Sequence, residues 1–381
     1  MEMRPRALRP PRGSYFLFGA RGTGKSSFVR QHYAGSLYID LLDPATQREY
    51  QTRPERLAEV VRAQPVDRIV VVDEVQKVPE LLTVVHTLIE ERRTQFVLTG
   101  SSARKLKRSG VDLLAGRAAL RFMFPYLASE LGDQFSLPNA LHVGLVPLIV
   151  EAADPNDALR AYVSLYVREE VFQEGLVRNM AGFSRFLEAV SFSHGQVLNL
   201  AHVARESQVE RKSIEGYVSI LEDLLIGFRL SVFSRRSKRE LVAHGKFYLF
   251  DPGVYRTLRP KGPLDTPDTI AGAAFEGLIA QQLRAWLHYR QGDTELFFWR
   301  TRGGAEVDFV LYGDLGLVAI EAKYSARVRS EDLRHLKAFK ADYPEAMCNF
   351  VYAGAERLLI EDVLCLPADE FLQELRTGWS G

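Results

Sequence analysis

The stretch YFLFGARGTGKSSFVRQHY, residues 15–33, decides the fold of the N-terminal part of the chain. It begins with four apolar residues, passes through a glycine-rich turn and ends in an amphipathic run, which predicts a strand, a loop and a helix. The turn fits the pattern G-x-x-x-x-G-K-[ST] without a mismatch. In that pattern backbone N–H groups close around a phosphate at a helix N-terminus. The alternative is a glycine turn with a chance lysine.

Each part of this loop has an expected role in nucleotide binding. Lys25 is expected to reach the β- and γ-phosphates, and the Ser26 hydroxyl is expected to take a Mg²⁺ position. The glycines allow the backbone to approach the phosphates closely. The predicted nucleotide-binding residues are Gly19, Gly22, Thr23, Gly24, Lys25, Ser26 and Ser27.

Two further apolar runs end in polar residues. In RIVVVDEVQ, residues 68–76, Asp73 is expected to hold Mg²⁺ through water and Glu74 to polarise the attacking water, because ligands of open parallel sheets bind at the carboxyl ends of strands. A helix N-cap pair is the alternative for these two acids. QFVLTGSS, residues 95–102, places hydroxyl groups where they could touch the γ-phosphate or its water, or simply form a turn.

The segments GARGTGKS, VVVDEVQKVPEL, FVLTGSSARKL and LLAGRA together resemble the AAA+ superfamily. More narrowly they resemble a prokaryotic family of ATPases that carry a C-terminal domain of long-unassigned function. This resemblance implies a parallel-sheet α/β domain that binds ATP and Mg²⁺, with residues 99–102 at the sensor-1 position. It assigns ATP binding and hydrolysis to Lys25, Ser26, Asp73 and Glu74. Arg117 of LAGR is the candidate arginine finger, which would act on a neighbouring subunit in a ring or another homo-oligomer; a structural salt bridge is the alternative.

The middle of the chain predicts a helical linker and a winged helix. ALRAYVSLYVREEVFQEGL, residues 158–176, has apolar residues at three- and four-residue spacing. Residues 199–230 predict helix, turn and helix, with Ser207 near the N-cap of the second helix and Arg211 and Lys212 close to its start. Two strands then flank a basic tip that suits phosphate contacts with DNA, formed by Arg235, Arg236, Lys238 and Arg239. A tip used only for protein contacts is the alternative, and the basic run at residues 104–108 could add a second basic surface.

The C-terminal part contains two short strands with acidic residues, GAEVDFVLYG (304–313) and LVAIEAKYS (317–325). If they pair as a hairpin, Asp308, Glu321 and Lys323 converge on one side. Upstream, AAFEGLIAQQLRAWL predicts a helix with Glu276 one turn from its start. This order resembles the PD-(D/E)XK nuclease superfamily, particularly its junction-resolvase-like branch, from about residue 272 onward.

The nuclease resemblance implies a Mg²⁺ or Mn²⁺ site made by Glu276, Asp308 and Glu321. Lys323 would hold the attacking water or the transition-state charge, so that Asp308, Glu321 and Lys323 would be catalytic. The alternative is an ion-pair network in a half-exposed sheet.

The whole chain has the composition of a globular protein. Its 381 residues predict an AAA+ core over 1–150, a linker and winged helix over 151–264, and a restriction-endonuclease-like α/β domain over 265–381. Lys plus Arg (49) nearly balances Asp plus Glu (48), so attraction to nucleic acid must come from local patches. Two cysteines, the absence of a signal-like apolar stretch and the absence of a membrane-length run predict a cytoplasmic protein without membrane contact.

These features predict ATP hydrolysis coupled to remodelling or processing of branched or duplex DNA. The alternative is a nucleotide-gated signalling ATPase that binds a protein partner and keeps an inert nuclease-like scaffold.

Overall fold

The chain folds into two compact units, an N-terminal unit of residues 1–124 and 223–225 and a C-terminal unit of residues 125–222 and 226–381. The sequence predicts three domains, with boundaries after residues 150 and 264, and this division stays a prediction. The computed structural model describes residues 4–102, 114–166, 179–235, 237–263 and 265–375. Arg236 and the basic run at 104–108 lie outside the described residues.

The N-terminal unit is built on a five-stranded sheet in the order β2-β3-β4-β1-β5, and every neighbouring pair is parallel. Its strands are β1 (Tyr15–Phe18), β2 (Leu37–Asp40), β3 (Val70–Asp73), β4 (Phe96–Gly100) and β5 (Ala119–Phe122). Its helices are α1 (Lys25–His32), α2 (Pro44–Thr52), α3 (Arg56–Arg62) and α4 (Leu81–Arg92). The predicted α/β fold with a parallel sheet is confirmed for this unit.

The three central strands of this sheet, β1, β3 and β4, form its buried middle. Strands β1, β3 and β4 are buried along their whole length, as expected for apolar runs that are covered on both faces. Because all five strands run in the same direction, their carboxyl ends meet at one edge of the sheet. The loops after β1, β3 and β4 are therefore neighbours at that edge.

The C-terminal unit contains eleven described α-helices and nine described strands. The helices are α5 (Ala128–Leu131), α6 (Leu137–Val143), α7 (Pro147–Val150), α8 (Pro155–Ala161), α9 (Met180–Ser191), α10 (Leu200–Ser207), α11 (Arg211–Asp223), α12 (Pro252–Leu258), α13 (Pro267–Arg290), α14 (Arg334–Asp342) and α15 (Ala368–Glu374). The strands are β6 (Gln196–Val197), β7 (Gly227–Val232), β8 (Lys246–Leu249), β9 (Glu295–Arg300), β10 (Glu306–Gly313), β11 (Gly316–Lys323), β12 (Met347–Tyr352), β13 (Leu358–Ile360) and β14 (Val363–Pro367).

These nine strands form one mixed sheet in the order β13-β14-β12-β11-β10-β9-β7-β8-β6. Strands β10 and β11 make the predicted antiparallel hairpin, with Phe309 opposite Ile320. Strand β7 pairs in parallel with β9, so the strands of the predicted winged helix continue the sheet that contains the hairpin. The predicted boundary after residue 264 therefore falls between strands of a single sheet.

Two local predictions in this unit are wrong. Helix α13 begins at Pro267, where the Thr266 side chain accepts a hydrogen bond from the backbone N–H of Thr269, so Glu276 lies well inside the helix and not one turn from its start. Ser207 does not precede the second helix as a cap, because it is the last residue of α10 and its hydroxyl donates back to the Val203 carbonyl.

Within the described residues, no helix has the length and apolar character needed to cross a membrane.

Candidate functional sites

The glycine-rich loop of the N-terminal unit connects the buried strand β1 to helix α1. Gly22 (φ 81°) and Gly24 (φ 88°) adopt left-handed backbone conformations that favour glycine. A Cβ atom at Gly19 would lie 2.5 Å from the Met123 carbonyl oxygen, so the first glycine is required by a close backbone approach. The Lys25 ammonium is buried under the loop and donates to the Gly19 carbonyl oxygen at 2.8 Å. The loop thus has the closed turn that the sequence pattern predicts.

The two acids of the DEVQ segment share one neighbour, Thr99 at the end of β4. The Thr99 hydroxyl donates to Oδ1 of Asp73 and accepts a hydrogen bond of 3.0 Å from the backbone N–H of Glu74. Asp73 and Thr99 are fully buried. Glu74 has a left-handed backbone (φ 60°), which is uncommon for a residue with a side chain. Thr99 therefore fixes the point where the chain turns between Asp73 and Glu74.

Gln76 reaches back to the same place. Its Nε2 donates to the Glu74 carboxylate and to the Ser101 hydroxyl, the latter at 3.1 Å. The Gln76 side chain is buried, and a Cβ atom at Gly100 would lie 2.6 Å from its Oε1 atom. The Glu74 side chain is thus connected through Gln76 to the loop that follows β4.

Sequence reasoning missed three residues at this edge of the sheet: Arg6, Tyr38 and Gln76. The Tyr38 hydroxyl donates to Oδ2 of Asp73, and burial raises the pKa of Tyr38. The Arg6 guanidinium donates to the Thr23 carbonyl at 2.8 Å and to the Phe124 carbonyl at 2.6 Å, which ties the glycine loop to the end of β5. Only Gln76 has a local sequence clue, its place in the DEVQ segment.

Arg117 lies in an ion pair with Glu90 of the same chain. About a third of its side chain is exposed, and its guanidinium, through a hydrogen bond and its positive charge, lowers the pKa of Glu90. This contact is the salt bridge that stands as the alternative to an arginine finger. The trans-acting role of Arg117 remains a prediction.

Two of the three described cations of the predicted basic tip contact acids of their own unit. Arg239 pairs with Asp342 at 2.7 Å, and Arg235 pairs with Glu295 at 3.5 Å and lies over the Tyr312 ring at 4.7 Å. Backbone hydrogen bonds from Val242 to Arg300 and from Arg302 to Glu240 hold the segment along the end of β9. Lys238 is exposed. The tip therefore carries less unpaired positive charge than its composition suggests.

The C-terminal unit brings together the predicted carboxylates around a residue that the sequence did not single out, Lys246 at the start of β8. Its Nζ atom lies 2.6 Å from Glu276, 2.7 Å from Glu306 and 2.8 Å from Asp308. The Lys246 side chain is 1% exposed. We call Lys246 with Glu276, Glu306, Asp308 and Glu321 the carboxylate cluster.

Lys323, the predicted catalytic lysine, points away from this cluster. Its ammonium pairs with Asp332, and half of its side chain is exposed. Glu321 belongs to the cluster, but its Oε2 atom is buried and has no hydrogen-bond partner among the described residues. The hairpin thus unites Asp308 with Glu321, as predicted, and leaves Lys323 outside.

The charges in the cluster shift one another's titration. Burial opposes the charged form of Lys246, but Asp308, Glu276 and the other nearby acids outweigh it and raise the pKa of Lys246 well above its usual value. Burial and the neighbouring Asp308 raise the pKa of Glu276 to about 7. The same two causes raise the pKa of Glu321 well above the ordinary range of a carboxyl group. The cluster therefore holds an ammonium ion, and its buried carboxyl groups Glu276 and Glu321 hold a proton more readily than free carboxyl groups do.

The predicted divalent metal fits the two sites differently. In the N-terminal unit Asp73 is bonded to neutral hydroxyl groups, which can give way to a cation. In the carboxylate cluster a fixed ammonium already lies between the acids, and the described part of the chain has no group of three or more His, Cys, Asp or Glu side chains arranged to hold a metal ion. The residues present thus fit Mg²⁺ beside the glycine loop and do not fit it in the cluster.

Three family models match consecutive parts of this chain. Residues 11–132 match the model of the AAA domain. Residues 134–265 match a domain of unknown function, DUF8612, and residues 271–371 match a second, DUF4143. The glycine loop and the DEVQ segment lie within the AAA match. All four acids of the carboxylate cluster lie within the DUF4143 match, and Lys246 lies within the DUF8612 match.

Two curated relatives are similar in sequence to this chain over half or more of their own length. An uncharacterized protein of Mycobacterium tuberculosis is 25% identical over 316 residues, which covers 80% of this chain and 69% of that protein. An uncharacterized protein of Haemophilus influenzae is 23% identical over 203 residues, 49% of this chain and 51% of that protein.

Among solved structures, Can2 from Sulfobacillus thermosulfidooxidans in complex with cyclic tetra-adenylate covers 97% of this chain and 99% of its own, at 9% identity and a TM-score of 0.26. A score at that level carries no structural conclusion. The family models therefore decide the assignment: the chain carries an AAA-type P-loop ATPase domain at its N-terminus and a DUF4143 domain at its C-terminus.

Proposed function

We propose that the N-terminal unit binds ATP with Mg²⁺ and hydrolyses the γ-phosphate, and that the C-terminal unit couples this reaction to a partner. The observation that carries the proposal is the Thr99 hydroxyl, which bonds both Asp73 and the backbone of Glu74 at the carboxyl edge of the parallel sheet. That contact holds one acid where it can face a metal and the next where it can face a water.

Each residue of this site would have a separate role in ATP binding and hydrolysis. Backbone N–H groups of residues 19–26 would hold the phosphates, and Lys25 would exchange its bond to the Gly19 carbonyl for phosphate oxygens. Ser26 and Asp73 would hold Mg²⁺, which when bound neutralises developing charge on the phosphates. Glu74 would accept a hydrogen bond from the attacking water, and Gln76 would orient the Glu74 carboxylate.

The proposal is tested by Glu74→Gln in the full-length protein. This change keeps the shape of the side chain and removes its charge, so ATP binding should remain while turnover falls by about 100-fold or more. Glu80→Gln is the matched control, because Glu80 is an exposed acid at the start of α4. Near wild-type turnover in Glu74→Gln would assign the activation of water to another residue.

DNA is the partner that we propose for the C-terminal unit. The order α9, β6, α10, α11, β7, β8 is that of a winged helix, which supports the interpretation from sequence. Arg211 and Lys212 open α11 and are exposed, as a recognition helix requires. The contacts of Arg235 and Arg239 with Glu295 and Asp342 weaken this case, since those cations must leave an acid before they bind a phosphate.

The competing proposal is a nucleotide-gated switch with a protein partner. Mixed charge on α10 and α11 favours it, because Arg205 lies beside Glu206 and Arg211 beside Glu215. ATP turnover measured with branched, duplex and single-stranded DNA separates the two. Stimulation by any of the three supports DNA, and indifference to all three supports a protein partner.

A further inference from the structure

We propose that Lys246 is a built-in counterion that takes the place of a divalent cation in the carboxylate cluster, so that a lysine from the DUF8612 region holds the acids of the DUF4143 region together without metal. This inference concerns the C-terminal unit alone and does not depend on ATP hydrolysis in the N-terminal unit.

The bonding capacity of the ammonium group is the first argument. An ammonium carries three N–H donors and no acceptor. Lys246 has three carboxylate partners, Glu276, Glu306 and Asp308, all within 2.8 Å. Each donor therefore has an acceptor, and the group is saturated in the position that a metal bound to the same three acids would occupy.

The second argument is that these acids have further partners inside the protein. Oδ2 of Asp308 accepts from the backbone N–H of Ala322 at 3.0 Å, and Oε2 of Glu306 pairs with Arg300 at 3.1 Å. Oε1 of Glu276 also accepts from the Tyr248 hydroxyl at 2.7 Å. A second cation and two neutral donors thus complete the shell that a metal and its waters would otherwise complete.

The third argument separates a counterion from a working lysine. A lysine that holds an attacking water must reach solvent or substrate, and the Lys246 side chain is 1% exposed. It extends from β8, which pairs with β7 and β6 and belongs to a different part of the sheet from β11, where the Glu-x-Lys pattern places its lysine. Lys323 of that pattern is exposed and bonded to Asp332. Neither lysine is placed to assist a hydrolytic water between the acids.

Glu321 agrees with this interpretation. Its buried Oε2 atom has no hydrogen-bond partner among the described residues, and its Oε1 atom lies 4.0 Å from Nδ1 of His335, whose pKa is lowered by burial. A carboxyl group in that setting keeps a proton more readily than it binds a metal beside a buried ammonium. The Lys246 ammonium and the Arg300 guanidinium then offset part of the negative charge of the other acids.

The test is Mn²⁺ binding to nucleotide-free, full-length protein, measured by calorimetry together with the thermal unfolding midpoint. Wild type and Asp308→Asn should give the same titration, without binding at the cluster. Lys246→Ala should gain one Mn²⁺ site, lose it again in the Lys246→Ala/Asp308→Asn double variant, and be stabilised by Mn²⁺. Lys323→Ala is the matched control and should behave as wild type.

Two results would overturn the proposal. One is Mn²⁺ binding by wild type that Asp308→Asn abolishes, which would make Lys246 a neighbour of the metal and not its replacement. The other is a folded Lys246→Ala variant that gains no site. If Lys246→Ala folds only when Mn²⁺ is present during refolding, the proposal is supported; if it does not fold at all, the comparison of wild type with Asp308→Asn decides.

Discussion

His194 gives the C-terminal unit a predictable sensitivity to acid. The ring is 3% exposed, stacks on Tyr255 with a centroid distance of 4.1 Å, and accepts a hydrogen bond of 3.0 Å at Nδ1 from the backbone N–H of Leu249. Burial lowers the pKa of His194 from 6.5 to about 3. The perturbation is His194→Asn, which can keep an acceptor for the Leu249 N–H and does not titrate.

The sign follows from the two pKa values. Below pH 6.5 the unfolded chain binds a proton at His194 that the folded chain does not bind until about pH 3. The free energy of unfolding therefore falls as the pH falls through this window, by about 1.4 kcal/mol per pH unit once the unfolded histidine is charged. Between pH 7.5 and pH 5 the contribution amounts to about 2 kcal/mol.

Urea unfolding followed by tryptophan fluorescence measures the free energy of unfolding of the C-terminal unit, which contains His194. Trp286 and Trp299 are the tryptophans among the described residues, and both belong to the C-terminal unit. The raised pKa of Glu276 makes the free energy of unfolding rise as the pH falls from about 7 to about 4.5, which is opposite to the effect of His194. The quantity to compare is therefore the pH-dependent change in the free energy of unfolding of wild type and of His194→Asn.

The loss of unfolding free energy from pH 7.5 to pH 5 should be about 2 kcal/mol smaller in His194→Asn than in wild type. His202→Asn, at an exposed position, should match wild type. Equal pH slopes for wild type and His194→Asn would show that His194 is charged or solvated in the folded state, and would refute the reasoning.

Three further outcomes follow from the described contacts. Thr99→Val removes a hydroxyl that donates to a carboxylate, so it should lower the free energy of unfolding by about 1.5–3 kcal/mol, measured by circular dichroism. Thr87→Val, at an exposed position, should leave the free energy of unfolding unchanged, and equal effects of the two changes would refute the role of Thr99. Arg117→Ala should slow ATP turnover without weakening ATP binding. If Arg117 acts on a neighbouring subunit, mixing Arg117→Ala with Lys25→Ala subunits should restore some turnover. No recovery in a mixture that co-assembles would leave Arg117 with a structural role as the ion-pair partner of Glu90. Replacing the four tip cations, Arg235, Arg236, Lys238 and Arg239, with Ser should weaken DNA binding to a similar extent for all DNA sequences. The slope of log K for DNA binding against log salt concentration should decrease by about one unit per lost phosphate contact, and an unchanged slope would assign the tip to protein contacts.

Local patterns in the sequence were sufficient to predict the glycine-rich loop and the DEVQ segment at the carboxyl ends of the strands in the N-terminal unit. Strand β1 begins and ends where the apolar run does, and Asp73 closes β3. These features depend on neighbours in sequence: a strand, a turn that needs glycine, and a helix. The start of α13 was also readable, because Thr266 and Pro267 form an ordinary helix start that the prediction overlooked.

Contacts between distant residues were out of reach. Lys246 and Asp308 are 62 residues apart, and nothing in the run around Lys246 marks that lysine for burial. The Glu-x-Lys pattern points to the lysine nearest in sequence to the acids, Lys323, whereas the fold supplies Lys246 from another strand. Arg6 and Tyr38 could not be predicted for the same reason, because they are far in sequence from their partners Thr23 and Asp73.

The central claim is that the glycine loop of the N-terminal unit is an ATP-hydrolysing site. Its most direct test is the rate of phosphate release from ATP and Mg²⁺ by the purified full-length protein, compared with Lys25→Ala and with Lys77→Ala as the matched control. Wild type and Lys77→Ala should hydrolyse ATP at similar rates, and Lys25→Ala should lose both tight ATP binding and turnover, because the phosphates lose the ammonium that the loop supplies. Turnover that is the same in wild type and Lys25→Ala would contradict the claim.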